Sequence, residues 1–219
     1  MATLPAAADS FQDEPDFSLE TIFEYYLSLT NYCDEPIATE VHNNMFLTGL
    51  ADTTTELISM NWNHYFGWPQ GVNHYEVWRK TNFESGYQFL NTVPSHETSF
   101  TAKLVVDAFQ HQYVIRAVEN AGPNESWSTP LSFDFEHSVT IPNIITPNGD
   151  EYNQYFQITK IQLYRNSELT IMDRWGKKVF HTRNYQNDWD GNGLSSGVYF
   201  YILDLKKDNK VYKGTLSIF

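Results

Sequence analysis

From about residue 41 onward, apolar and polar residues alternate with a period of two in short runs, and the 3.6-residue period of an amphipathic helix is nearly absent. Successive side chains of an extended chain point to opposite faces, so each such run specifies a half-buried strand. In 57–65 (LISMNWNHY), Ile58, Met60 and Trp62 share one face while Ser59, Asn61 and Asn63 share the other. In 74–80, Tyr75 and Val77 oppose Glu76 and Trp78, and in 111–119 Tyr113, Ile115 and Ala117 line one face. With 41–50, 87–93, 98–104 and a run near 128–135, this makes about seven strands, the number of a β-sandwich. Residues with turn chemistry separate them: Gly67, Pro69, Gly71, Gly86, Pro94, Gly122 and Pro123. Residues 17–26 hold enough for one helical turn but continue directly into a strand-like run, and 1–16 read as a disordered leader.

Charge narrows the function classes. The chain of 219 residues carries a net charge of −13, which argues against nucleic acid and against polybasic docking to anionic lipid. No apolar run reaches the length of a membrane span, which predicts no direct insertion. Residues 1–20 contain no Lys or Arg and no long apolar core, so the expectation is a cytosolic chain or a fragment of something longer. Cys33 is the single cysteine, so neither an internal disulfide nor a multi-cysteine zinc site can form. The charge is also uneven. Residues 1–138 hold 19 acidic and 4 basic side chains, whereas 139–219 hold 8 and 10, which places a domain boundary near residue 138.

Residues 40–136 resemble a fibronectin type III domain, on Trp62, Tyr75, Val77, the run Tyr113 to Ala117, the loop from Asn120 to Gly122, and Ser126 and Ser128. A different grammar begins at Ile141. Strands are expected at 160–165, 168–173, 178–181, 197–205 and 211–218, with Asp208 and Asn209 supplying a hairpin turn. The ordered segments TPNGDEYNQYF (146–156), LTIMDRWGKKVF (169–180), NDWDG (187–191), SGVYFYIL (196–203) and YKGTLSIF (212–219) are together similar to the gliding-motility-associated carboxy-terminal domain of Bacteroidetes. That family is the type B sorting domain of cargo of the type IX secretion system. Glu151, Gln154 and Asp173 depart from its usual pattern. The fold class expected is therefore all-β: two tandem β-sandwiches, fibronectin type III-like at 37–137 and Ig-like at 138–219. Residues 17–36 would be the remnant of a preceding repeat.

The resemblance implies an address label rather than an enzyme. The protein would travel through the periplasm and outer membrane to the cell surface as part of a motility adhesin. Its partners would be outer-membrane β-barrel components of the secretion system, with the chain itself a monomer. Carried onto the matching motifs, partner recognition falls on Arg174, Trp175, Gly176, Trp189, Asp190, Gly191, Gly197, Tyr199, Lys213 and Gly214. Gly176 suits a positive φ after a strand, and Arg174-Trp175 is either a turn with a packed Trp or a receptor-facing surface. Recognition by strand addition would use 202–205 and 211–218, unless these simply form a hairpin.

Asp188, Asp190 and Asn192 have the spacing of the first half of an EF-hand loop, but position twelve is Tyr199 and no helices flank it. Asx-type turns account for it better, and likewise for 148–153, so calcium is a subsidiary reading and no other cofactor is expected. The seven histidines are scattered without HxH or HExxH spacing, and no nucleophile or phosphate-loop motif occurs. Tyr65, Phe66, Gly67 and Trp68 form an aromatic loop suited either to core packing or to stacking against sugar. An adhesive module binding glycan or protein is thus the alternative function.

Overall fold

The computed structural model describes residues 4, 8, 10–13, 21–105, 107–150, 152–191, 193–207 and 209–219. Glu151, Asn192 and Asp208 lie outside that set, as does most of the 1–20 segment. The strands in chain order are β1 (Glu24–Tyr25), β2 (Ser28–Thr30), β3 (Pro36–Ala38), β4 (His42–Asn43), β5 (Leu47–Asp52), β6 (Leu57–Trp62), β7 (Val72–Thr81), β8 (Gln88–Pro94), β9 (Ser99–Lys103) and β10 (Gln110–Glu119). They continue with β11 (Glu125–Trp127), β12 (Leu131–Asp134), β13 (Ile144–Ile145), β14 (Glu168–Met172), β15 (Lys178–Arg183), β16 (Gly197–Asp204) and β17 (Val211–Ile218). No α-helix occurs among the described residues, and the chain is all-β as the alternation predicts. It divides into two compact units: Met1–Val105 with Gln110–Phe133, and Val106–Phe109 with Asp134–Phe219.

In the first unit a three-stranded sheet, β5-β6-β9, and a five-stranded sheet, β11-β10-β7-β8 with β12 also on β10, bury their facing sides. The inward residues fall into the same-face sets that the alternation groups together. Ile58, Met60 and Trp62 on β6 meet Tyr75, Val77, Tyr113, Ile115 and Ala117 on β7 and β10, all buried. Trp62 packs edge-on against Tyr75 with ring centroids 5.6 Å apart. The Tyr75 hydroxyl accepts the backbone N–H of Tyr65 at 3.0 Å, which satisfies the polar end of a ring otherwise in the core. In the segment before it, β1 pairs with β4 and β2 with β3.

The second unit is built on one five-stranded sheet in the order β13-β17-β16-β14-β15, in which only the β13–β17 pair is parallel. Its inner face carries Leu169, Ile171, Tyr199, Leu203, Leu216 and Ile218. That face is covered by irregular chain bearing Phe156, Ile158, Tyr185 and Trp189, so the second layer is mostly loop rather than strand. The strand expected at 160–165 is instead a single 3-10 turn, Ile161–Leu163. Lys160 takes φ 61, which breaks extended chain, and both Ile161 and Leu163 are wedged into the core from that turn. Two apolar residues spaced by two read as a strand, although a short buried turn presents the same pattern.

Candidate functional site

The features singled out in the second unit fall into three places: a hairpin tip, a stapled loop and a sheet edge. Asp173 organises the tip between β14 and β15. Its carboxylate Oδ1 accepts the backbone N–H groups of Trp175 and Lys177, each at 2.9 Å. Gly176 has φ 78, the left-handed conformation expected of it, in the five-residue connection 173–177. The loop throws its side chains outward, so Arg174 is exposed and Trp175 is 84% exposed. Trp175 is therefore not the packed Trp of the turn reading. An indole left in water on a fixed hairpin is a surface feature.

The segment 187–191 does the opposite. Asn187 bonds both backbone groups of Ile158, accepting the N–H at 2.8 Å and donating to the carbonyl at 3.2 Å. This staples the loop onto the core and turns Trp189 inward. Trp189 is 4% exposed and its ring lies 5.4 Å from that of Phe180 and 6.4 Å from that of Phe156. Tyr185 ties the cluster together, donating its hydroxyl to the Phe156 carbonyl at 2.8 Å and accepting the Trp189 N–H at 3.3 Å. Burial pushes its phenol pKa well up.

Three of the expected recognition residues are thus core residues. Trp189 fills the aromatic cluster, and Tyr199 is buried with its hydroxyl donated to the Ser195 carbonyl at 2.8 Å. Gly191, at φ 88, is packed so that an added Cβ would lie 3.2 Å from Ile218 Cδ1. Gly214 is the place where the Tyr201 ring crosses the sheet, since a Cβ there would sit 2.5 Å from the phenol oxygen. Gly197 begins β16 in exposed, extended chain, and Asp188 and Asp190 are exposed.

No three His, Cys, Asp or Glu side chains group to hold a metal among the described residues. In the loop at 148–153, Asn148 Oδ1 accepts the Asp150 N–H at 3.0 Å and Asp150 Oδ1 accepts the Tyr152 N–H at 2.8 Å. These are Asx turns, and the bond from Tyr152 is the chief cause that holds the Asp150 carboxyl below the usual carboxylate range. Gln154, a departure from the usual pattern, donates to Asn148 Oδ1 at 3.1 Å and so stays within the loop.

The sheet edge separates the two candidates for strand addition. β16 is paired on both sides, with β14 and with β17, so 202–204 has no free backbone edge, and Leu205 joins the turn to β17 with its N–H on the Lys210 carbonyl at 3.0 Å. β17 is covered by β13 only at Ser217 and Ile218. The N–H groups of Ser217 and Phe219 point to that side, bonding Asn143 and Ile145 carbonyls at 2.8 and 3.2 Å. By the alternation of a strand, the main-chain groups of Val211, Lys213 and Thr215 point to the same side. Among the described residues nothing pairs with them.

The outer face of the sheet adds what sequence reasoning missed. Val198 (53% exposed), Phe200 (44%) and Ile202 form an apolar stripe down a central strand, with Met172 opposite Phe200. Both faces of β16 are apolar, so alternation within it cannot say which is inside. The signal was in its partner: β17 alternates Tyr212, Gly214, Leu216 and Ile218 with Val211, Lys213, Thr215 and Ser217, and the polar set pairs with Val198, Phe200 and Ile202.

Residues 139–218 match the family model of the CHU_C Type IX secretion signal domain, and they lie within the second compact unit. The second unit is accordingly similar to a signal domain for type IX secretion. No curated protein matches it. Among solved structures it is similar to a tetra-tandem repeat in the extending region of a large adhesion protein, with 12% identity, a TM-score of 0.38, and coverage of 90% of this chain and 56% of that one. It is also similar to the chicken CNTN1 FN1-FN3 domains, with 11% identity, a TM-score of 0.37, and coverage of 80% and 65%. Pectate lyase Pel3 from Pectobacterium carotovorum gives 16% identity, a TM-score of 0.35, and coverage of 47% of this chain and 33% of that one. The chain thus spans from a third to just under two thirds of these proteins.

Proposed function

We propose that the chain belongs to a cell-surface adhesin, and that its second unit is the label read by an outer-membrane β-barrel component of the type IX machinery. The function is binding and export, not catalysis. The observation that carries this reading is the coincidence of the signal-domain match, 139–218, with a unit that has its own core and an unpaired sheet edge. In the mechanism we favour, the partner adds a strand beside β17. Val211, Lys213 and Thr215 supply main-chain donors and acceptors, and Trp175 and the Phe200 stripe supply apolar contact area.

The test places the whole chain behind a signal peptide and a reporter in a host that has the type IX system. Reporter is expected at the surface or in the medium, to be retained in the periplasm when 139–219 is deleted or the system is removed. Lys213→Pro isolates the edge, because its N–H points away from β16 and proline is tolerated at such positions. Export falling about tenfold or more, with the fold intact by circular dichroism, is the expected result. Export unchanged in a host without the system would refute the signal reading, and unchanged export of Lys213→Pro would refute the strand-addition mechanism alone.

A further inference from the structure

The first unit contains an open cleft of about 450 Å3 lined by residues outside 139–218. Glu40, His42, Trp68, Glu119, Asn124 and Glu125 line it. Its aromatic wall is rigidly built. Trp68 packs on Tyr65 with ring centroids 4.4 Å apart, and the Tyr65 hydroxyl meets His42 Nδ1 at 2.7 Å. Gly67, at φ 120, lets the loop lie directly on the imidazole, since a Cβ there would be 2.5 Å from His42 Nδ1. The loop that carries Trp68 is therefore fixed on one side by ring packing and on the other by contact with His42.

The acceptors in the cleft are held as well. Glu119 accepts the side-chain amide of Asn124 at 2.6 Å and its backbone N–H at 3.3 Å. Glu125 accepts Arg116 at 2.8 Å and the Trp127 indole N–H at 2.9 Å. Each carboxylate oxygen has more than one acceptor site, so capacity for a ligand remains. A half-buried indole beside positioned acceptors suits a ligand with a flat apolar face rimmed by hydroxyl donors, which is the chemistry of a pyranose ring. Arg116 divides its single charge between Glu76 and Glu125, at 2.7 and 2.8 Å, so the cleft keeps a net negative charge and oligocations are the competing ligands that the test must separate. The carboxylates also disfavour an acidic sugar by like-charge repulsion.

We infer that this cleft is a binding site for a neutral saccharide, with Trp68 as the stacking platform and Glu40, Glu119 and Glu125 as hydroxyl acceptors. The site lies in the first unit, so it stands or falls independently of the export signal.

The test uses the whole chain, with cellotetraose, maltotetraose and N-acetylchitotetraose as neutral probes and a sialylated oligosaccharide and oligolysine as charged ones. Binding is followed by the tryptophan indole N–H resonances. Saturable binding of a neutral probe is expected, unaffected between about 50 and about 500 mM NaCl because no ion pair forms. Trp68→Ala and Glu119→Gln should weaken it about tenfold or more, while Trp68→Tyr, which keeps an aromatic face, should retain it within about threefold. Leu50→Ser, at a side chain 80% exposed on β5, should leave it unchanged. Absence of neutral-probe binding, salt-sensitive binding of oligolysine in its place, or undiminished binding by a folded Trp68→Ala or Glu119→Gln variant would each overturn the inference.

Discussion

The inward placement of Trp189 is the sharpest departure from what its motif implies, and it can be tested by contrast with Trp175. Both are tryptophans in loops of the second unit, one 4% and the other 84% exposed. A buried Trp removes roughly 200 Å2 from water, and at about 25 cal/mol per Å2 this is about 5 kcal/mol, less about 1 kcal/mol for the methyl that alanine retains. Trp189→Ala should therefore cost about 4 kcal/mol, within the range of roughly 3–5 kcal/mol for such truncations. Trp175→Ala should stay within about 0.5 kcal/mol. Hydrogen exchange of β14 and β16 amides reports the second unit without assuming that the whole chain unfolds in one step. There Trp189→Ala should lower protection about a thousandfold and Trp175→Ala about twofold or less. Protection that is unchanged in Trp189→Ala, or lost equally in Trp175→Ala, would refute the assignment of the first to the core and the second to the surface.

Tyr185→Phe removes a buried hydroxyl that serves both the Phe156 carbonyl and the Trp189 N–H, and should cost about 1–3 kcal/mol in the same exchange measurement. Gly191→Ala forces a side chain into a φ of 88 and against Ile218, so a loss of about 1–2 kcal/mol is expected by urea titration. In the first unit, burial alone would raise the Glu76 carboxyl, but hydrogen bonds from Arg116, Trp78 and His74 outweigh it and hold the pKa below the ordinary 4.5. Its stabilisation is thus fully present above about pH 4.5 and is lost as pH falls through the depressed native value. Glu76→Gln should be less stable at neutral pH and should lose less stability than the parent on acidification, as read from melting temperatures between about pH 6 and about pH 3.

The sequence alone determined the β architecture, because side-chain alternation is a property of the extended backbone itself. It grouped Ile58, Met60 and Trp62 on one face, and likewise Tyr75 with Val77 and Tyr113 with Ile115 and Ala117, and each of these sets is buried. It also marked Gly176 as a glycine suited to a positive φ after a strand, and φ there is 78. Its five ordered motifs located the signal domain that the match over 139–218 supports.

Tertiary structure decided the rest, wherever a local pattern admits two orientations. β16 is apolar on both faces, and only its register with β17 puts Tyr199 inside and Phe200 in water. Trp175 and Trp189 are the same residue type in similar turns, and only the staple from Asn187 to Ile158 turns the second one inward. Whether a strand offers a free edge depends on its neighbours in the sheet, so both β16 and β17 were candidates for strand addition and only the sheet order separates them. The cleft beside Trp68 draws on residues from 40 to 125, a proximity that only folding can create.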